Sequence, residues 1–216
     1  MIITNLGFEA FKIQFGDIII ALNPVSKDSK HKSARFGADI ALVSLNDKDF
    51  NGVSNVSHGD RSPFVIDGPG EYEIKGVFIK GFKSDSHYGL ASGSKETRLN
   101  TIYIINLEGM NLCFLGAIDS KDLSAETKES LDDIDILFVP VGGEGVLSAQ
   151  AVAELAVNLE PRLIIPMHYS EVTDKNLKTF LKESGEEGSK PQDKLTLKKK
   201  DLEGKEGEVV VLAPSA

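Results

Sequence analysis

Two aspartates and one histidine are the residues whose types and placement could do hydrolytic chemistry. Asp47 and Asp49 stand at alternate positions in residues 42–52, where an apolar run passes into a polar turn closed by Gly52. Alternate side chains of an extended chain project to one side, so the segment has the outline of a metal-binding loop. His168 follows a second apolar run, residues 163–167, where a strand would end. Carboxylates and imidazoles ligate zinc, and a catalytic zinc takes about three protein ligands plus water. The ion's use is to lower the pKa of that water from 15.7 to about 7. Ligands are scarce here. The chain has four His in all, and residues 42–52 contain none.

The elements that must hold these residues fall into two halves. In the first, residues 11–15 alternate apolar and polar, and 17–22 follow a turn at Gly16, a hairpin signal. Residues 39–45 form a continuous apolar run, as in a strand buried on both faces. Strands are predicted at 63–66 and 72–82 around the turn Gly68-Pro69-Gly70, with a further hairpin of 100–107 and 110–115. The second half alternates strand and helix. Ser124 caps a short helix to about Leu131. A buried strand at 134–140 ends in Gly142-Gly143, and Ser148 caps a helix whose Val152, Leu155, Ala156 and Leu159 share one face. The strand 163–167 follows, then a helix from Thr173 with Leu177, Phe180 and Leu181 inward and Gly185 as its stop. Residues 195–197 and 208–212 are expected to close the chain as a hairpin, and 84–99 and 185–193 to be polar and mobile. Antiparallel strands followed by β–α alternation imply two packed sheets with helices outside, in αββα layers.

At 216 residues, one compact domain spanning 1–216 is the expected organisation. The formal net charge of −9 disfavours nucleic-acid and anionic-membrane binding, which need a positive face. The basic runs at 27–35 and 194–205 are read as a solvated loop and a solvated strand face. One cysteine, Cys113, excludes an internal disulfide, and its apolar neighbours mark it as a buried, inert thiol. No signal peptide is indicated and no apolar run reaches membrane-spanning length, so the location expected is cytoplasmic.

The motifs together resemble the metallo-β-lactamase-fold superfamily of zinc-dependent hydrolases, in particular the branch of ascorbate-6-phosphate lactonase-like proteins. Carrying the resemblance are residues 3–7 (ITNLG), Gly68-Pro69-Gly70-Glu71-Tyr72-Glu73, Asn100-Thr101-Ile102-Tyr103, Phe114-Leu115-Gly116, residues 135–143 and Ile165-Pro166-Met167-His168-Tyr169. The resemblance implies a four-layer αββα sandwich of two mixed sheets and a dinuclear metal loop of the form His-x-His-x-Asp-His. That loop falls on Leu45, Asp47, Asp49 and Phe50, and only Asp49 matches. The bridging Asp falls on Ala117, with Asp119 two residues beyond; a mid-chain His falls on Asp85, two residues from His87. The late His matches at His168, and the Asp of an early Asp-Pro is Asn23.

Leu45, Phe50 and Ala117 are apolar replacements for ligands. An empty cluster of carboxylates and imidazoles is costly to bury without its cation, and hydrocarbon removes that cost. The favoured reading is therefore a non-catalytic binding or scaffold descendant, with no cofactor and with a small molecule or a protein as partner; nothing in the sequence opposes a homo-oligomer. The alternative is a divergent hydrolase of ester, lactone or phosphodiester bonds, holding one zinc with Asp47, Asp49, His168 and Asp85 or His87. His168 is read as structural in preference to a ligand, and His87 as a solvated loop residue. His31 and His58 are assigned nothing. The glycine-rich turn 142–148 could hold an anion, but positive φ is its simpler purpose. Asp49 and His168 are expected to face each other within hydrogen-bonding reach, with Leu45 and Phe50 close by. Such a pair would favour the protonated imidazole.

Overall fold

The computed structural model describes residues 1–143 and 145–215. In chain order the strands are β1 (Ile2–Gly7), β2 (Ala10–Phe15), β3 (Ile18–Leu22), β4 (Ile40–Leu42), β5 (Phe64–Ile66), β6 (Gly70–Ile74), β7 (Val77–Ser86), β8 (Arg98–Leu107) and β9 (Met110–Phe114). Then come α1 (Ala125–Ser130), β10 (Ile136–Pro140), α2 (Ala149–Leu159), β11 (Leu163–Met167), α3 (Lys175–Glu183), β12 (Leu195–Thr196) and β13 (Glu208–Val209). Among the described residues these strands make a six-stranded sheet, β12-β1-β2-β3-β4-β5, and a seven-stranded sheet, β13-β11-β10-β9-β8-β7-β6. Both mix parallel and antiparallel pairs.

The two sheets meet through a shared apolar core that includes Phe11, Ile20 and Leu42 from one and Tyr103, Phe114 and Phe138 from the other. The opposite face of the seven-stranded sheet is covered by helices, with Val152, Leu155, Leu177 and Phe180 packed over Leu137, Val139 and Ile164. Burial on both faces explains why β10 and β11 are unbroken apolar runs. Each helix begins where the sequence offers a cap. Ser124 and Ser148 accept from Thr127 and Ala151 N–H groups, and Asp174 accepts from those of Asn176 and Leu177. The outer face of the six-stranded sheet has a thinner cover, a single 3-10 turn at Val53–Val56 and Phe36. This is the layered sandwich that the sequence implies.

Pro166 sits inside β11, where a missing N–H would ordinarily break a ladder. Met167 turns its carbonyl toward Val141 N–H on the β10 side, so Pro166 faces the other way. There β13 pairs only with Leu163 and Ile164, and no ladder bond is lost.

Three expectations are corrected. Residues 72–82 are two strands, because Lys75 and Gly76 adopt positive φ and make a tight turn between β6 and β7. The closing hairpin does not form: β12 pairs with β1 in one sheet and β13 with β11 in the other. Residues 84–86 and 98–99, read as loop, belong to the long β7–β8 ladder. No helix among the described residues is long and apolar enough to cross a membrane.

Candidate functional site

The C-terminal ends of the parallel strands β3, β4, β9, β10 and β11 run out toward one edge of the sandwich, and the loops that follow them build the site. Two stitches hold the sheets together at this edge. The turn between β1 and β2 is tied to the exit of β11, Phe8 N–H donating to Tyr169 O (3.0 Å) and His168 N–H to Phe8 O (2.8 Å). The exit of β4 is tied to β8 by Thr101 N–H donating to Ser44 O at 2.8 Å. Asn100 fixes the exit of β9, donating to Leu115 O (2.9 Å) and accepting from Ala117 N–H (3.0 Å). Gly116 lies so close to this junction that a Cβ would come 2.5 Å from Asn100 Oδ1 and 2.6 Å from Ser44 Cβ; only glycine fits.

His168 is buried at the exit of β11, and its Nδ1 lies 2.6 Å from Oε1 of Glu9, whose side chain is fully enclosed. The other Glu9 oxygen accepts from the Asn23 amide at 3.0 Å. Asn23 also donates to Ser44 Oγ and accepts from Ser44 N–H, both at 2.8 Å. Phe8, Asn23 and His168 all adopt positive φ, at 57°, 41° and 70°. Three side-chain-bearing residues held in a sparsely populated backbone region at one place is a pattern associated with functional sites.

Asp49 is buried on the opposite wall. Its Oδ1 accepts from Ser29 Oγ–H, its Oδ2 accepts from the Tyr88 hydroxyl at 2.6 Å, and His31 Nε2 is 4.0 Å from Oδ2. Burial alone would raise its pKa, but the hydrogen bonds from Ser29 and Tyr88 and the charges of His31 and Lys48 outweigh that and hold it below the ordinary carboxylate value. Burial and the Asp49 carboxylate push the Tyr88 hydroxyl far above its usual range. Burial lowers the His31 pKa despite the pull of Asp49.

An aromatic wall separates the two acidic walls. His31 stacks on Phe8 (centroids 4.0 Å, planes 12° apart), and His168 lies against the same ring at 4.2 Å. Tyr88 meets Phe8, Phe50 and His168 at 5.9, 4.9 and 5.6 Å. Beneath it Phe8, Leu45, Phe50, Ala117 and Val146 form one closed apolar cluster, with Leu45, Phe50 and Ala117 at 1% exposure or less. A cleft of about 580 Å³ opens above, lined by Phe8, Lys30, His31, Lys48, Asp49 and His168 among others.

The predicted residues are thus dispersed. Asp49 and His168 line one cleft, but they do not touch: Glu9 takes the imidazole, while Ser29 and Tyr88 take the carboxylate. The direct pair expected from the sequence is a correction, and Leu45 and Phe50 are packed beside the site as expected. Asp47 pairs with Arg98 at 2.9 Å and caps the Asp49 N–H. His87 pairs with Asp119 at a different cleft, beside Ser92 and Ser94. Asp85, exposed on β7, lines another cleft, with Thr97 at 3.4 Å and Lys83, Ser120 and Asp122 as neighbours. Neither Asp85 nor His87 joins His168. Tyr169 is a packed aromatic bonded to Leu212 O at 2.6 Å. Gly142, Gly143 and Gly145 all have positive φ, as the turn reading requires, while Glu144 lies outside the described residues. Among the described residues no group of three or more His, Cys, Asp or Glu side chains is gathered as a metal site would need.

The sequence reading missed Glu9, His31 and Tyr88. Glu9 offered one signal that went unused, a carboxylate between the apolar residues Phe8 and Ala10–Phe11; His31, in a run of Lys and Ser, had none.

A sequence model of the beta-lactamase superfamily domain matches residues 2–168, and the chain belongs to that superfamily. Curated relatives include a UPF0173 metal-dependent hydrolase of Pyrococcus furiosus, 26% identical over 69% of this chain and 61% of its own length. Another, from Pyrococcus abyssi, is 28% identical over 47% of this chain and 44% of its own length. The matches therefore span less than two thirds of these curated relatives. Among solved structures, a Thermotoga maritima protein named as a Zn-dependent hydrolase of the metallo-beta-lactamase superfamily superposes with a TM-score of 0.74 at 28% identity, over 98% of this chain and 97% of that one. A metallo hydrolase from Ignicoccus hospitalis, 17% identical with a TM-score of 0.63 over 100% and 96% of the two chains, shares the fold.

Proposed function

We propose that this chain is a non-catalytic member of the metallo-β-lactamase fold, a cytoplasmic binding protein whose dinuclear metal site has been filled with hydrocarbon. The observation that carries this reading is the cluster of Leu45, Phe50 and Ala117 with Phe8 and Val146. These are the positions where the resemblance puts two histidines and a bridging aspartate, and none of the three can coordinate an ion. The donor set that remains does not fit a dinuclear zinc centre, because Asp49 and His168 are separately engaged and, among the described residues, no group of three ligands is gathered. The cleft above the plug persists, and the strained backbone at Phe8, Asn23 and His168 supports a retained use for it.

A second reading, a hydrolase with one metal held by Asp49 and His168, is favoured by the names of the Pyrococcus relatives. Elemental analysis of protein purified without chelator separates the two. Zinc well below one equivalent is expected. A stoichiometry of one or two, lost in His168→Ala, would overturn the non-catalytic reading.

A further inference from the structure

The cleft mixes acidic and basic side chains, yet among the described residues its acids are all occupied. Asp47, Asp49 and the adjoining Glu9 each bind donors of the protein through both carboxylate oxygens: Arg98 and Asp49 N–H, Ser29 and Tyr88, His168 and Asn23. The donors are in the opposite condition. Lys30 and Lys48 line the cleft, and among the described residues neither forms an ion pair. His31 Nε2 is buried and has no hydrogen-bond partner, while its Nδ1 lies 3.3 Å from the Ser170 hydroxyl. With Ser170 O–H donating to Nδ1, and a carboxylate 4.0 Å from Nε2, the proton of a neutral imidazole belongs on Nε2. Such a buried donor left unsatisfied costs about 1–3 kcal/mol, which a ligand acceptor would recover.

We infer that this cleft binds a small anion, a phosphate monoester or a carboxylate carried on an apolar body. The anionic group would sit between Lys30, Lys48 and His31 Nε2–H, and the apolar body against Phe8 and Tyr88. In a chain of net charge −9, a recess whose uncommitted charged groups, among the described residues, are cationic is a local inversion of the protein's field. A larger cleft of about 760 Å³ between α1 and α2 has no such imbalance, since Lys121 there pairs with Glu154 and Asp122, Asp132, Asp133 and Glu160 share the lining. The inference rests on the cleft being a binding site, and it names what the site takes.

The test uses the full chain with four probes of one shape: phenyl phosphate, benzoate, benzyl alcohol and phenyltrimethylammonium. Binding is read by calorimetry and by the His31 ring resonances. Both anions are expected to bind, to shift the His31 Nε2 signal and to exclude each other; the alcohol and the cation are expected not to bind. Replacing both Lys30 and Lys48 by Ala, at exposed positions, should weaken phenyl phosphate about tenfold or more, and His31→Phe, which keeps the stack on Phe8, should weaken it about tenfold. Preference for the cation, anion binding indifferent to all three substitutions, or no anion binding up to about 10 mM would each overturn the anion site and leave the non-catalytic reading in place. Lysine-dependent binding accompanied by turnover of p-nitrophenyl phosphate or acetate would support the anion site and overturn the non-catalytic reading.

Discussion

Glu9 and His168, 159 positions apart, meet at 2.6 Å in a place where the glutamate is fully enclosed and the histidine nearly so. They join the β1–β2 turn of one sheet to the end of β11 in the other, alongside the backbone bonds between Phe8, His168 and Tyr169. Removing one member of a buried pair leaves the other without a partner and costs about 3–5 kcal/mol. Glu9→Ala should therefore lower unfolding free energy in urea by about 3 kcal/mol or more, and Glu9→Gln, which can still accept from Nδ1, by clearly less. Equal losses in the two variants would show that packing rather than the polar contact holds this joint.

Asn23 explains itself through the same carboxylate. The resemblance puts Asp at this position, but here the amide donates to Glu9 at 3.0 Å. An Asp would have no N–H to offer and would set a second buried carboxylate against the first, which strongly disfavours ionising both. Asn23→Asp is expected to destabilise the protein by about 3 kcal/mol at neutral pH, the loss shrinking as acid protonates one of the pair. Replacing Glu9 by Gln in the same chain should restore most of the stability. A double variant no better than the single one would refute the coupling.

The layers were legible because burial on both faces writes itself into sequence: 163–167 and the core of 134–140 are uninterrupted apolar runs that became β11 and β10. Partners were less legible. Residues 195–197 and 208–212 read as one hairpin because strand pattern records which face is buried and not which strand lies alongside. At the site, Leu45, Phe50 and Ala117 were singled out only by laying the family's metal loop and bridging Asp on the sequence, and the structure packs them together in one apolar cluster. The contacts of Glu9 and His31 were not foreseen, since Glu9 meets His168 across 159 positions and His31 reaches Asp49 from a long polar loop. Alternation places a side chain on a face, and tertiary contact chooses its partner.

Phe50 is fully buried and packs edge-on to Tyr88 and tilted to Phe8. If the apolar plug is now part of the core, Phe50→Ala should cost about 3–5 kcal/mol, as large-to-small changes do in close-packed interiors. Ala117→Asp should also destabilise, by burying an unpartnered carboxylate among Leu45, Phe50 and Val146. Thermal melts with and without added zinc are the measurement. Stabilisation of wild-type protein by zinc, or tolerance of Ala117→Asp in its absence, would contradict the plug.

His31 sets how stability responds to acid. Its folded pKa lies below the ordinary 6.5 because burial penalises the imidazolium more than Asp49 favours it. Below about pH 6.5 the unfolded chain binds a proton that the folded one resists, so the unfolded state gains as pH falls. The contribution is fully present above 6.5 and is lost as pH drops through the folded value. Asp49 acts with the same sign in a lower window, its share being present above 3.8 and lost as pH falls through its depressed value. Urea midpoints measured from about pH 7.5 to 3 should therefore fall in two steps. His31→Phe should flatten the upper step, and Asp49→Asn should reduce the lower, which the depressed Asp39 carboxylate shares. An upper step unchanged in His31→Phe would mean that another group carries it, and that His31 is not held neutral against Phe8.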